Sequence, residues 1–173
     1  LESRGHEIFY WGMKNSKNII PNTNLLASDI DYNNKKGLLI ELKNAINIVY
    51  NFNNQKKLKT ILKQIRPDIV HIHNYNFQLS PSILPVIKAE GIKIIQTAHD
   101  SQMVCPNHRL FINSTNTTCT KCVEGSFLNC IINRCFDNSL PKSIAGSLES
   151  IFYHTANYYN RYIDHIISPS YFL

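Results

Sequence analysis

A chain of 173 residues with 43% hydrophobic and 17% charged residues can bury the core of one domain and is too apolar for a disordered segment. No apolar run is long enough to cross a membrane, and "LESRGHEIFYW" lacks the features of a signal peptide, so a soluble, cytoplasmic protein is expected. Lys+Arg exceed Asp+Glu by 18 to 12, a net charge of +6 that admits nucleic acid, anionic lipid or phosphorylated substrates as partners without choosing among them.

In chain order, "LESRG" reads as the last turn of a helix capped by Gly5, and "HEIFYWGM" as a strand. After a polar loop, "GLLIELKNAINIVYNF" spaces Leu38, Leu39, Leu42, Ile46, Val49 and Tyr50 for one helical face. "NNQKKLKTILKQIRP" continues as helix, with Leu58, Ile61, Leu62 and Ile65 inward, a basic outer face and Pro67 as the stop. "DIVHIH" is a strand. A helix opening at Ser80-Pro81 runs to Gly91, with Pro85 as a kink or as its true start. "IKIIQTAH" is the next strand. "SIAGSLESIFYHTANYYNRY" is a helix with Ile144, Leu148, Ile151, Phe152 and Tyr159 on its apolar stripe, and "DHIISPS" is the last strand.

Strands alternating with helices predict βαβ units in a Rossmann-like, doubly wound parallel sheet. In such sheets ligands bind beyond the carboxyl ends of the strands. Three strand ends carry polar groups: His71, His73 and Asn74 after the first, His99 and Asp100 after the second, Ser168 and Ser170 after the last. The two histidines of "HIH" are expected on opposite faces, with one of them packed, and Asp100 is read first as a turn former.

The segments "RGHEIFYWGMK", "RPDIVHIHN", "LSPSILPVIKAEGIKIIQTAHD", "VCPN" and "DHIISPSYFL" together resemble the N-terminal domain of retaining glycosyltransferases of family four, across essentially the whole chain. That family has the GT-B architecture of two Rossmann-like domains facing a cleft. The resemblance implies transfer of a sugar from a nucleotide-sugar donor to a glycan or lipid-linked acceptor with retention. Residues 1–173 would be a partial acceptor-side domain without the family's first strand. The C-terminal donor domain would be missing, and the piece alone is expected to be inactive. His99 matches the histidine that approaches the donor sugar, and His73 and Asn74 match the loop lining the same cleft. Asp100 and Ser170 are expected to contact substrate there. A neutral imidazole both donates and accepts hydrogen bonds to sugar hydroxyls, which suits the position.

Residues 101–141 form a long insertion holding all five cysteines, four of them, Cys119 to Cys135, in the pattern Cys-x2-Cys-x7-Cys-x4-Cys. Cys119, Cys122, Cys130 and Cys135 suit a closed structural zinc site that staples a loop without its own core. Disulfides or free thiols are the competing readings. The fifth cysteine, Cys105, would then be left over, and it is read as a small buried hydrophobe. The alternative function is a basic, zinc-stapled nucleic-acid-binding module. The stretch from Cys119 to Cys135 holds little Lys or Arg, only Lys121 and Arg134, and lacks interleaved aromatics, so no nucleic acid is expected. The basic helical face is solvated by default, with the inner face of a membrane as its other potential contact.

Overall fold

The computed structural model describes residues 1–19, 25–27 and 46–171. Leu38, Leu39 and Leu42 of the first expected helix lie outside these residues, and residues 46–49 at its end are helical. The chain is mixed α/β, with a parallel sheet of three strands in the order β1 (Ile69–Ile72), β2 (Lys93–Thr97), β5 (His165–Ile167). A small antiparallel hairpin, β3 (Phe111–Ile112) with β4 (Thr117–Thr118), stands apart within the cysteine-rich segment.

Helix α1 (Phe52–Ile65) starts where the Asn51 side chain accepts the Asn54 N–H at 3.0 Å. It ends at Arg66 in a left-handed conformation, φ 51°, just before Pro67. Its periodicity places Leu58 and Leu62 in the core and leaves Lys56, Lys59 and Lys63 in solvent, as the basic outer face requires. At Ser80-Pro81 the chain makes only a 3₁₀ turn, Pro81–Ile83, and helix α2 (Leu84–Ala89) follows with Pro85 in its first turn. Pro85 thus marks the true helix start, where a missing N–H costs nothing. Gly91 follows with φ 76°, a conformation only glycine adopts freely, and turns the chain into β2.

The core lies on one face of the sheet, where Ile72 and Ile94 meet Leu58, Leu62, Ile83, Leu84 and Ile87, with Tyr159 and Tyr162 packed alongside. On the opposite face Ile69 and Ile167 are exposed. Among the described residues the second helical layer of a doubly wound sheet is therefore not seen. A parallel sheet normally carries helices on both faces, so the exposed isoleucines mark an uncovered side. "HEIFYWGM" also departs from expectation, since among the described residues its one ladder contact is an isolated bridge from Met13 to Ala27. Trp11 reaches the core instead, donating its indole N–H to the Leu25 carbonyl at 2.9 Å.

The helix expected from 143 to 162 is two: α4 (Leu140–Thr155) and α5 (Tyr158–Tyr162), broken at Asn157 with φ 52°. The face of α4 that packs is the polar one. Ser143, Gly146, Ser147, Glu149, Ser150 and Tyr153 are buried, while Ile144, Leu148 and Phe152 of the expected stripe are exposed. Small residues let the helix approach helix α3 (Leu128–Ile132) and the turn after it closely. Ser147 Oγ donates to the Phe127 carbonyl at 3.0 Å, and Ser143 Oγ accepts the Phe136 N–H at 3.2 Å. These bonds offset the burial of the hydroxyls.

Asp164 clamps the start of the sheet. Its carboxylate accepts the Ile94 N–H at 2.8 Å and the ammonium groups of Lys88 at 2.5 Å and Lys93 at 3.1 Å. The amide and the two lysines hold this carboxyl well below the usual carboxylate range. Asp164→Asn is expected to lower the unfolding free energy by about 1–3 kcal/mol at neutral pH. Because the folded pKa is depressed, this contribution is present above the unfolded carboxylate pKa and disappears as the solution is acidified below it. Urea midpoints at pH 7 and pH 3 check both statements, and equal midpoints for variant and wild type at pH 7 would remove the clamp from the account.

Candidate functional site

The parallel register brings the ends of β1 and β2 side by side, with Ile72 opposite Gln96. Just beyond, one residue past β1 and two past β2, the rings of His73 and His99 meet: His73 Nδ1 and His99 Nε2 are 2.8 Å apart, one nitrogen donating its proton to the other. His71 lies on the same face, its ring 4.3 Å from that of His73, with Nε2 2.7 Å from Thr97 Oγ1. The expectation that His71 and His73 diverge is wrong for an elementary reason, since residues two apart on a strand share a face. All three histidines are exposed. Partial burial first, then the neighbouring charges of His71 and His99, lower the pKa of His73 and favour its neutral, hydrogen-bonding form.

Asn74 is exposed at the turn out of β1, with φ 37°. Ser170 is exposed three residues beyond β5, the strand that pairs with β2. Asp100 forms the turn and also faces His108. Its Oδ1 accepts the Gln102 N–H at 2.9 Å, the turn role expected of it, while Oδ2 lies 3.5 Å from His108 Nδ1. Burial pushes this carboxyl up, but the hydrogen bond and charge of His108 and the Gln102 N–H outweigh it and hold it below its ordinary value.

Beside Asp100 opens a cleft of about 430 Å³ lined by Phe77, Asp100, His108, Arg109, Phe136 and Asp137 among others. Phe77 and His108 stack with centroids 4.7 Å apart and planes 6° apart, and Phe136 meets Phe77 edge-on at 5.9 Å. Aromatic faces beside carboxylate, guanidinium and imidazole groups can hold a ligand that is apolar on one side and rich in hydroxyls on the other. A larger depression of about 670 Å³ lies at the opposite end of the strands, around Arg66, Asp68 and Gly91, away from the histidines.

Phe77, His108, Arg109 and Phe136 were not legible as site residues. They sit in irregular segments with no periodicity to mark them, and the structure holds Phe77 at φ 60° and His108 at φ 66° in left-handed backbone. Behind the site, Glu149 is 3% exposed and accepts the Phe77 N–H, and its Oε1 has no hydrogen-bond partner. Burial pushes this carboxyl up to about 8.

The five cysteines are all free thiols. Cys122 and Cys130 share a buried cluster with Phe127, against which Cys135, Phe136 and Ile151 pack. Burial, reinforced by neighbouring thiols, pushes Cys122 up to about 11 and Cys130 to about 12. Among the described residues, no group of three or more His, Cys, Asp or Glu side chains is arranged to hold a metal ion. No helix among them is long and apolar enough to cross a membrane.

Fold and site together define an α/β protein with a parallel sheet and a histidine cluster at its strand ends. The chain is similar to an uncharacterized 42.6 kDa protein in the cps region of Klebsiella pneumoniae, with 26% identity over 110 residues. The match covers 64% of this chain and 26% of that protein, so the chain spans about a quarter of the relative's length. No protein-family model matches the chain, and no solved structure matches it.

Proposed function

We propose that this chain is the acceptor-side part of a retaining, GT-B-type glycosyltransferase that uses a nucleotide-sugar donor and acts in capsule polysaccharide biosynthesis. The observation that carries the reading is the His73–His99 pair beside the 430 Å³ cleft at the carboxyl edge of a parallel sheet. That edge is where ligands of such sheets bind. The cps-region relative supports the polysaccharide context. In this reading His99 faces the donor sugar, and Asp100 and the aromatic cleft take a glycan or lipid-linked acceptor, with Asn74 and Ser170 at its margins. The donor phosphates belong to a second Rossmann-like domain, and the doubly wound layering of this one is completed in the whole enzyme.

The test is to incubate the full-length protein with a panel of labelled nucleotide sugars and with lipid-linked and free glycan acceptors. Donor-dependent transfer with retained anomeric configuration is expected. Folded protein that neither binds nor transfers from any donor overturns the reading. In the active enzyme, His73→Ala combined with Asn74→Ala is expected to raise the acceptor KM several-fold. Because His73 also holds His99, kcat should fall too, and steady-state kinetics against acceptor concentration separates the two effects.

A further inference from the structure

We infer that the outer face of α4, together with the lysine row of α1, is a docking surface for the headgroup layer of an anionic membrane. The inference stands apart from sugar transfer, since it concerns where the protein sits and not what it converts.

The stripe that hydrophobic spacing marks for burial is the starting point. Leu140, Ile144, Leu148 and Phe152 recur every fourth residue along α4, and all four are exposed, Leu148 by 54%. Single apolar side chains at a surface are ordinary, whereas a contiguous row along a helix of 16 residues marks a contact surface. No charge interrupts the row. The Lys, Arg, Asp, Glu and His residues of α4 are Lys142, Glu149 and His154. Lys142 is paired with Asp137 at 3.1 Å, Glu149 is buried, and His154 bonds the Met103 carbonyl. Packing explains why the apolar side stays outward. The serines, Gly146 and Glu149 face inward, and at Gly146 any Cβ would collide with the Phe136 ring, so a larger residue has no place there.

The ridge continues onto α1. Tyr50 meets Phe152 edge-on with centroids 6.4 Å apart and Phe52 at 4.7 Å, and Phe52 is 71% exposed at the first position of α1. Lys56, Lys59 and Lys63 follow Phe52 at steps of four, three and four residues, which places them on its side of the helix. All three are exposed, and among the described residues no carboxylate pairs with them. Helix α3, packed against α4, exposes Leu128 and Ile132, one turn apart.

The charge decides the occupant. A second copy of this chain would offer the same cations again, whereas an anionic bilayer supplies an apolar layer and negative headgroups together. Helices that lie in the interface divide in this way, with large apolar side chains at the acyl boundary and lysines at the headgroups. The ridge also starts close to the cleft, since Asp137 lines the cleft and Leu140 follows three residues later. If the chain is the transferase proposed above, a lipid-linked acceptor reaches the site without leaving the bilayer surface.

The experiment is co-flotation of full-length protein with vesicles of phosphatidylcholine alone and of phosphatidylcholine mixed with phosphatidylglycerol. Wild type is expected to bind the mixed vesicles about tenfold or more tightly than the neutral ones, and to lose that preference in high salt. The double variant Ile144→Gln with Leu148→Gln should weaken binding to both about tenfold. The triple variant Lys56→Gln, Lys59→Gln and Lys63→Gln should remove only the preference for anionic lipid. These side chains face solvent, so thermal melting should stay near that of wild type. A phospholipid with a photoreactive acyl chain gives a readout that needs no variant, and it should label residues 140–152 of wild type. Wild type that floats with neither vesicle, or labelling confined to other segments, overturns the inference. A dimer that Ile144→Gln with Leu148→Gln dissociates would assign the face to a second copy. A stripe shielded from hydroxyl-radical footprinting without lipid would show that the rest of the full-length chain covers it, and either result also overturns the inference. No arm reads transfer, so these failures leave the proposed activity standing.

Discussion

Replacing His99 by alanine in the proposed full-length glycosyltransferase is expected to lower kcat by about ten- to a thousandfold, the scale of losing one well-placed hydrogen-bonding group. Retaining transfer passes through an oxocarbenium-like sugar with a departing nucleotide phosphate. An imidazole that bonds the sugar or orients the attacking hydroxyl helps the transition state more than the ground state. In this reading His73 orients the ring of His99. His99 Nε2 is held 2.8 Å from His73 Nδ1, which leaves its other ring nitrogen for substrate. Donor affinity should change little, because in the proposed architecture the phosphates are gripped by the other domain. Single-turnover rates alongside donor titrations check this. A wild-type rate with an intact fold would make His99 a structural partner of His73 and nothing more. Loss of donor binding with an unchanged rate would place it on the wrong side of the cleft.

Glu149→Gln is expected to stabilise the protein at neutral pH and to flatten its stability between about pH 5 and pH 8. An unfolded glutamate titrates near 4.5, whereas burial pushes Glu149 to about 8. Between those values the folded chain holds one more proton than the unfolded chain. Stability therefore falls as pH rises through the window, by about 1.4 kcal/mol per pH unit for that proton. Below the window both states are protonated, and above it the full cost of a buried carboxylate is in place. The groups facing Glu149 do not titrate in this range, since the Tyr75, Tyr153 and Tyr159 hydroxyls are all raised above their ordinary value, burial being the largest cause in each case. Glutamine keeps the shape and an oxygen to accept the Phe77 N–H without a charge to bury. Urea unfolding of both proteins across pH 5–8.5 provides the comparison. The difference between the profiles isolates this residue from His73, whose depressed pKa acts in the opposite sense. Parallel profiles would show that water or a cation reaches the carboxyl.

Much of this was open to reading in the residues, and the boundary is physical. Strand and helix positions in the sheet region depend on neighbours one to four residues away. The apolar runs around Ile72 and Ile94, the Leu58–Leu62 spacing and the proline and glycine stops therefore located β1, β2, β5, α1 and α2. The polar groups at the strand ends were legible for the same reason, and Asp100 does form the turn expected of it. Hydrophobic spacing failed on α4. Its buried face is made of serines, a glycine and Glu149, and what buries them is Phe127, Phe136 and the Phe77 turn, up to 72 positions away, counting from Phe77 to Glu149. A hydroxyl is worth burying only when a particular carbonyl or amide meets it, and no local pattern announces that partner. "HEIFYWGM" failed in the complementary way, being apolar enough for a strand yet paired, among the described residues, at Met13 alone.

By itself, then, the sequence determined the strands of the parallel sheet, the helices between them and which chemical groups stand at the strand ends, because those follow from residues adjacent along the chain. Only the tertiary structure decided which of those groups meet. The His73–His99 contact spans 26 positions, the Asn107 bridge to Cys135 spans 28, and the Phe77–His108 stack depends on two turns in left-handed backbone. Contacts of that range are fixed by how the sheet register and the packed helices close the chain on itself, and this closure is a property of the whole fold rather than of any segment.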